Sequence, residues 1–350
     1  MHASHSLGHS YLASTQSAHP FAAVFPGQGS QSVGMGRLFY DEFKEAKIAF
    51  EEASDALSLN MTQLCFEGPD SVLQLTENTQ PAILTTSIAI QRVLSARLGF
   101  TPIAASGHSI GEYSALVASR VLSFSDAVRA VRARGRAMQK AVPVGQGAMA
   151  AVMGLSEEQV IAICKTAEGE ASAGPLSAAN FNAPGQIVIS GSAKTLDWLK
   201  EHLTSAWLKD TLQIEARPKL IPLAVSAPFH CALMQPAEDE MAVLLKATAF
   251  NAPQFPVVQN TTGKASTDPE VICEQLIRQI SRSVQWIKCQ NELVQLGAKH
   301  FIEVGSGKVL AGLAKKTLLQ LETFTTFSMN SIEDLKKFET ELSALGRANN

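Results

Sequence analysis

Gly107-His108-Ser109-Ile110-Gly111 sets a serine between two glycines in the pattern G-x-S-x-G. The short run 102–106 before it reads as a strand, and Ile110 to Ala118 reads as a helix. A serine on a sharp strand-to-helix turn is lifted clear of the sheet, and the glycines allow the turn. The helix N-terminus adds a positive dipole near any charge that develops there. That chemistry is nucleophilic: a hydroxyl attacks a carbonyl and holds an acyl group. A hydroxyl needs a base for this. Four of the eight histidines lie in the first twenty residues. Of the others, His108 adjoins Ser109, and neighbours on such a turn point apart. His202 falls on a helix beside Glu201, and His300 opens a strand. His230 lies just past a strand, in Ser226-Ala227-Pro228-Phe229-His230. Loops at strand ends carry catalytic groups in α/β folds, so His230 is the candidate base. No third, acidic member stands out, since Asp126, Asp197 and Asp210 all lie in poor contexts.

A second candidate comes from helical periodicity. In the helix expected after Ser125, read as its N-cap, Arg129, Arg132 and Arg136 form a polar stripe. Val128, Val131 and Met138 form the apolar stripe, and Arg134 falls on it. A charge there is either paired in the core or used on a ligand. A guanidinium held near a nucleophile binds a carboxylate bidentately.

Two other motifs fail. Gly27-Gln28-Gly29 lacks the third glycine of a dinucleotide fingerprint, because position 32 is Ser32. Gly305-Ser306-Gly307-Lys308 has the wrong spacing for a phosphate loop, and Val309 stands where Ser or Thr is needed.

The elements that must position these residues alternate. Phe21–Phe25 is a buried strand that stops at Pro26-Gly27, helices follow at 41–57 and 81–98, and the second strand leads to Ser109. That order gives a parallel sheet covered by helices. The middle reads strand 148–153, helix 156–167, strands 176–181 and 186–190, helix 194–203 and strand 211–215. This β-α-β-β-α-β order is ferredoxin-like. The expectation is an α/β fold with a small inserted ferredoxin-like domain at 144–216. The large domain would comprise 21–143 and 217–350, with Leu220–Val225 a strand returning to it. Helices are expected at 283–297 and 308–319, around a strand at 300–304. Residues 1–20 read as a disordered leader.

Composition narrows the class. The 350 residues are 46% hydrophobic, enough for a sizeable core. A formal charge of -3 and 6% aromatics argue against a nucleic-acid surface. No apolar stretch is long enough to span a membrane. The five scattered cysteines form no C-x-x-C pair, which disfavours a metal knuckle or disulfide framework and fits a reducing compartment.

Taken together, five segments carry a resemblance. They are Phe25-Pro26-Gly27-Gln28-Gly29-Ser30-Gln31, Gly107 to Val117, Arg134-Gly135, Phe229-His230-Cys231-Ala232-Leu233-Met234 and Glu303 to Leu310. In this order the chain, from about Phe21 to Leu319, resembles the malonyl-CoA:acyl-carrier-protein transacylase family. The resemblance implies a hydrolase-like large domain with an inserted ferredoxin-like one. It implies Ser109 as nucleophile, His230 as its base and Arg134 as holder of the malonyl carboxylate. The backbone N–H groups of Gln28 and Ile110 would form the oxyanion hole. Gln279 would orient His230 through its backbone carbonyl, so truncating its side chain should be mild. Phe229 would narrow the acyl pocket, although core packing explains a phenylalanine equally well. The implied activity is ping-pong transfer of malonyl from malonyl-CoA to the thiol of acyl carrier protein, in cytoplasmic fatty-acid synthesis. No cofactor or metal is implied. Arg217, Lys219, Lys315 and Lys316 are candidate contacts for an acidic carrier protein. A serine esterase, a non-catalytic carrier-binding relative and a transferase of another acyl group stay open as rivals.

Overall fold

The computed structural model describes residues 20–321 and 323–348; the expected leader otherwise lies outside the described residues. Among the described residues ten strands form two sheets: β1 (Phe21–Phe25), β2 (Ala104–Gly107), β3 (Gly147–Met153), β4 (Leu176–Ala183), β5 (Gln186–Ser192), β6 (Lys219–Pro222), β7 (Val257–Val258), β8 (Ala265–Ser266), β9 (His300–Val304) and β10 (Thr325–Met329).

The larger sheet has the order β10-β9-β1-β2-β7-β8, parallel except for the β7–β8 pair. All five residues of β1 are buried. A strand covered on both faces reads as a continuous apolar run, not as an alternation. Phe21, Ala23 and Phe25 join the core beneath the helices Thr76–Leu98 and Phe124–Ala141. Ala22 and Val24 join a second core with Trp286, Leu293, Leu310 and Leu313. Helices therefore cover both faces. The chain steps from β1 to β2 on one side and to β9 on the other. In such sheets the crevice beyond the carboxyl ends of the strands takes the ligand. Gln28 follows β1 there, Ser109 follows β2 and Asn260 follows β7.

The smaller sheet has the order β4-β5-β3-β6, with every pair antiparallel. The helices Glu157–Ala171 and Ala193–His202 pack on it through Val160, Ile163, Leu196 and Leu199, against Ile187 and Ile189. Ser156 opens the first helix with a reciprocal capping box with Gln159. The ferredoxin-like expectation holds in element order and pairing, but its last strand moves. Residues 211–215 carry no strand: Thr204 caps a helix Ser205–Leu212, which ends at Gln213 with φ 57. Leu208 and Leu212 are four apart, a helical repeat that overrides the short alternation read there. The fourth strand is β6, which pairs with β3 and does not return to the larger sheet. A boundary at 216 thus omits one of the four strands.

The cap expected at Ser125 is also displaced. Ser123 accepts from the Asp126 N–H, while Ser125 donates to Glu52 at 3.1 Å. Among the described residues no helix is long and apolar enough to cross a membrane.

Candidate active site

The turn after β2 is tight. A Cβ on Gly107 would lie 1.9 Å from the Gly111 carbonyl oxygen, and one on Gly111 would lie 2.1 Å from that of Phe25. Ser109 sits at φ 52, a region an L-residue adopts at a cost. The amide of Asn260 holds it there. Its Oδ1 accepts from the Ser109 N–H at 2.7 Å, and its Nδ2 donates to the Gly107 carbonyl at 2.7 Å.

Ser109 Oγ lies 2.7 Å from His230 Nε2, although the two residues are 121 apart in sequence. His230, itself at φ 59, donates from Nδ1 to the Gln279 carbonyl at 2.8 Å. That bond places the proton on Nδ1 and leaves Nε2 free to accept from serine. Gln279 caps the C-terminal end of the helix Pro269–Arg278, where carbonyls have no partner within the helix. A backbone carbonyl, that of Gln279, therefore stands in the place of a third, acidic member. His230 is buried, and its pKa is held down to about 3, by burial first and by the Arg134 charge next. The imidazole is neutral and ready to take a proton at ordinary pH.

Arg134 is 1% exposed. Its Nη2 donates to Ser109 Oγ at 3.2 Å and to Gln279 Oε1 at 2.9 Å, and Nη1 donates to Gln80 Oε1 at 2.9 Å. The guanidinium carbon lies 5.8 Å from the centroid of the Tyr113 ring. Its stripe position allowed a buried ion pair or a charge used on a ligand, and the geometry sets the guanidinium beside the nucleophile. No carboxylate salt-bridges it among the described residues. Glu112, fully buried, reaches it only through Gln279, whose Nε2 donates to Glu112 Oε2 at 2.8 Å. The Gln279 side chain also donates to the Ser109 carbonyl at 2.9 Å. The side chain of Gln279, which the resemblance left without a role beside its carbonyl, thus bonds the arginine, the serine backbone and a buried acid.

Ser109, His108, His230, Phe229, Gln28 and Asn182 line a cavity of about 810 Å³. Phe229 also belongs to the core, so it serves both readings. Neither the Gln28 nor the Ile110 backbone N–H donates to a described protein acceptor. His108 bonds Asn182 Oδ1 at 2.7 Å and packs on Trp286, His202 stacks on Trp198, and His300 Nδ1 meets Thr325 Oγ1 at 2.5 Å. None of these three touches Ser109 Oγ. Lys219 lies on β6, Lys315 and Lys316 lie in the last turn of the helix Val309–Thr317, and neither these nor Arg217 line this cavity.

Sequence reasoning missed Gln80, Glu112 and Asn260. Glu112 had a usable signal: a carboxylate in the apolar stretch Gly111–Ala118 poses the same question as Arg134. Asn260, 151 residues from the serine it braces, had none.

Residues 23–345 match the family model of the acyl transferase domain. The malonyl CoA-acyl carrier protein transacylase of Escherichia coli is 43% identical over 311 residues, 89% of this chain and 96% of that protein. An acyl carrier protein S-malonyltransferase from Vibrio cholerae superposes with a TM-score of 0.83 at 41% identity, covering 91% of this chain and 99% of that one. A malonyl-transacylase solved in complex with its type II PKS acyl-carrier protein gives 0.84 at 38% identity, covering 92% of this chain and 99% of that one.

Proposed function

The chain belongs to the acyl transferase family, among the malonyl-CoA:acyl-carrier-protein transacylases, and from that premise we propose a two-step malonyl transfer through Ser109. His230 Nε2 takes the Ser109 proton as Oγ attacks the thioester carbonyl of malonyl-CoA. The tetrahedral oxyanion rests on the backbone N–H groups of Gln28 and Ile110. The intermediate collapses, the C–S bond breaks, CoA leaves with the proton from His230, and a malonyl ester of Ser109 remains. The phosphopantetheine thiol of acyl carrier protein then attacks that ester, with His230 again base and then acid. One thioester is consumed and one formed, so no oxidant, metal or bound cofactor is required. CoA and carrier protein are substrates.

The observation that carries the reading is the Arg134 guanidinium 3.2 Å from the nucleophile's oxygen and buried with it. An esterase has no use for a fixed cation there, whereas a malonyl donor brings the matching carboxylate. Phe229, beside His230 on the cavity wall, supports a pocket narrowed against a branch at the substrate's α-carbon. The small ferredoxin-like unit, beginning near 144 and extended to Pro222 to include β6, supplies Asn180, Asn182 and Val188 to the cavity and walls the acyl site from one side. The reaction supplies malonyl units to fatty-acid synthesis, and a cytoplasmic setting fits the five free cysteines.

Intact-mass analysis after mixing with malonyl-CoA alone tests the reading. One malonyl adduct is expected, absent in Ser109→Ala. No adduct on the native chain, with rapid hydrolysis of simple esters instead, would overturn it.

A further inference from the structure

Arg134 can hold a carboxylate only if its guanidinium faces Ser109, and two amides fix it there: Gln80 accepts from Nη1, and Gln279 holds Nη2, the nitrogen that reaches the serine. Gln279 Oε1 accepts from Arg134 Nη2 at 2.9 Å. An amide can face either way. Oε1 stays on the arginine only if Nε2 is better placed on the opposite side. There Nε2 meets Glu112 Oε2 at 2.8 Å and the Ser109 carbonyl at 2.9 Å. Both are acceptors. The reversed amide would set N–H against a guanidinium that has only donors, and oxygen against a carboxyl and a carbonyl. Glu112 Oε2 is itself held, since it accepts from the Asn260 N–H at 3.1 Å.

Glu112 is costly to the fold. It is 0% exposed and its Oε1 is buried with no hydrogen-bond partner. A buried carboxyl left half satisfied calls for an explanation beyond stability. We propose that Glu112 is a positioning residue for acyl-donor selectivity: through the Gln279 amide it holds the Arg134 guanidinium over Ser109, and so sets the preference for donors that carry a carboxylate. This deepens the malonyl-transfer reading and rests on it. Burial pushes the Glu112 carboxyl up to about 7, against the bonds from Gln279 and Asn260 and the charge of Arg134. Oε2 accepts in either protonation state, so the amide stays oriented on both sides of that value. Gln279 thereby serves two groups by separate atoms. Its carbonyl orients the base, and its side chain orients the arginine.

The test compares Ser109 acylation by malonyl-CoA and by acetyl-CoA, read by mass, in the native chain, Gln279→Ala, Glu112→Leu and Glu112→Gln. Labelling of Ser109 by a fluorophosphonate reports the Ser109–His230 pair without a carboxylate in the probe. In Gln279→Ala and Glu112→Leu the malonyl-to-acetyl ratio should fall about tenfold or more, as for loss of a hydrogen bond on a charged group. Phosphonate labelling should fall much less. Glu112→Gln retains an acceptor oxygen and should restore most of the ratio. An unchanged ratio in folded Gln279→Ala, or equal losses with malonyl, acetyl and phosphonate, would overturn the proposal, and Gln279→Ala decides alone if Glu112→Leu does not fold. The native chain failing to take malonyl would sink the underlying reading. Native loading with unaltered ratios in the variants would sink only the role of Glu112.

Discussion

Arg134 Nη2 donates to Ser109 Oγ across 3.2 Å, so the nucleophile is in contact with a buried cation before any acyl group arrives. Malonyl and acetyl donors differ by the one carboxylate that this cation would meet. Arg134→Ala should therefore lose malonyl transfer by a factor of about thirty or more, since truncating one partner of such a pair costs about 2–5 kcal/mol. Acetyl transfer should persist or rise. Arg134→Lys should rescue poorly, because an ammonium cannot bond Gln80, Gln279 and a carboxylate from one plane. The measurement is kcat/KM for both donors with the melting temperature of the same preparation. Parallel losses would return Arg134 to a purely structural part.

Ser109→Ala should fold and lose transfer almost completely. His230→Ala should lose about two to four orders of magnitude, as general-base losses go. With the His230 pKa held near 3, the falling acid limb of kcat/KM should lie well below pH 6.5. A limb centred on 6.5 in the native chain, absent in no other variant than those of His230, would contradict the buried, neutral base. Arg134 and His108 are the groups whose charge bears on it.

The same shift carries a stability consequence. The folded pKa lies below the ordinary 6.5, so the unfolded chain binds the proton first. The stability from a neutral His230 is complete above pH 6.5 and is lost as pH falls towards 3, by up to about 1.4 kcal/mol per pH unit. His230→Ala lacks this loss. The melting-temperature gap between the two proteins should change in favour of the variant from pH 7.5 to 4.5, whereas Glu112 titrates in both and cancels. A constant gap would argue against the shift.

Asn260→Ala removes the acceptor of the Ser109 N–H and the donor to Gly107 in one step. Leaving those groups buried and unpaired should cost about 1–3 kcal/mol. Acylation should slow with either donor, because the serine's strained backbone loses its brace. Thermal melting and single-turnover acylation check this. A slower rate for malonyl alone would place Asn260 with the arginine rather than with the turn.

Phe229→Ser should relax the choice between malonyl-CoA and methylmalonyl-CoA. One methyl in an apolar pocket is worth about 1–3 kcal/mol, which bounds the gain. Some stability should be lost too, since Phe229 is 7% exposed within the main core. A competition assay with an unaltered ratio, together with a lower melting temperature, would leave Phe229 to packing alone.

Local pattern determined much of this protein. The G-x-S-x-G turn, the apolar β1, the helix from 156 and the arginine on an apolar stripe are all short-range features, and period and turn chemistry make them legible along the chain. The β-α-β-β-α-β order was legible for the same reason, but its last strand was not. Whether 211–215 or 219–222 forms it depends on which segment pairs with β3, and pairing is a long-range event. The resemblance named the Gln279 carbonyl behind His230, but the tertiary structure alone decided the partners that neither pattern nor resemblance named. Asn260 braces a serine 151 residues away. The Gln279 side chain joins Arg134 to Glu112. Hydrogen bonds are satisfied in space without regard to separation along the chain, so no spacing or composition could reveal them.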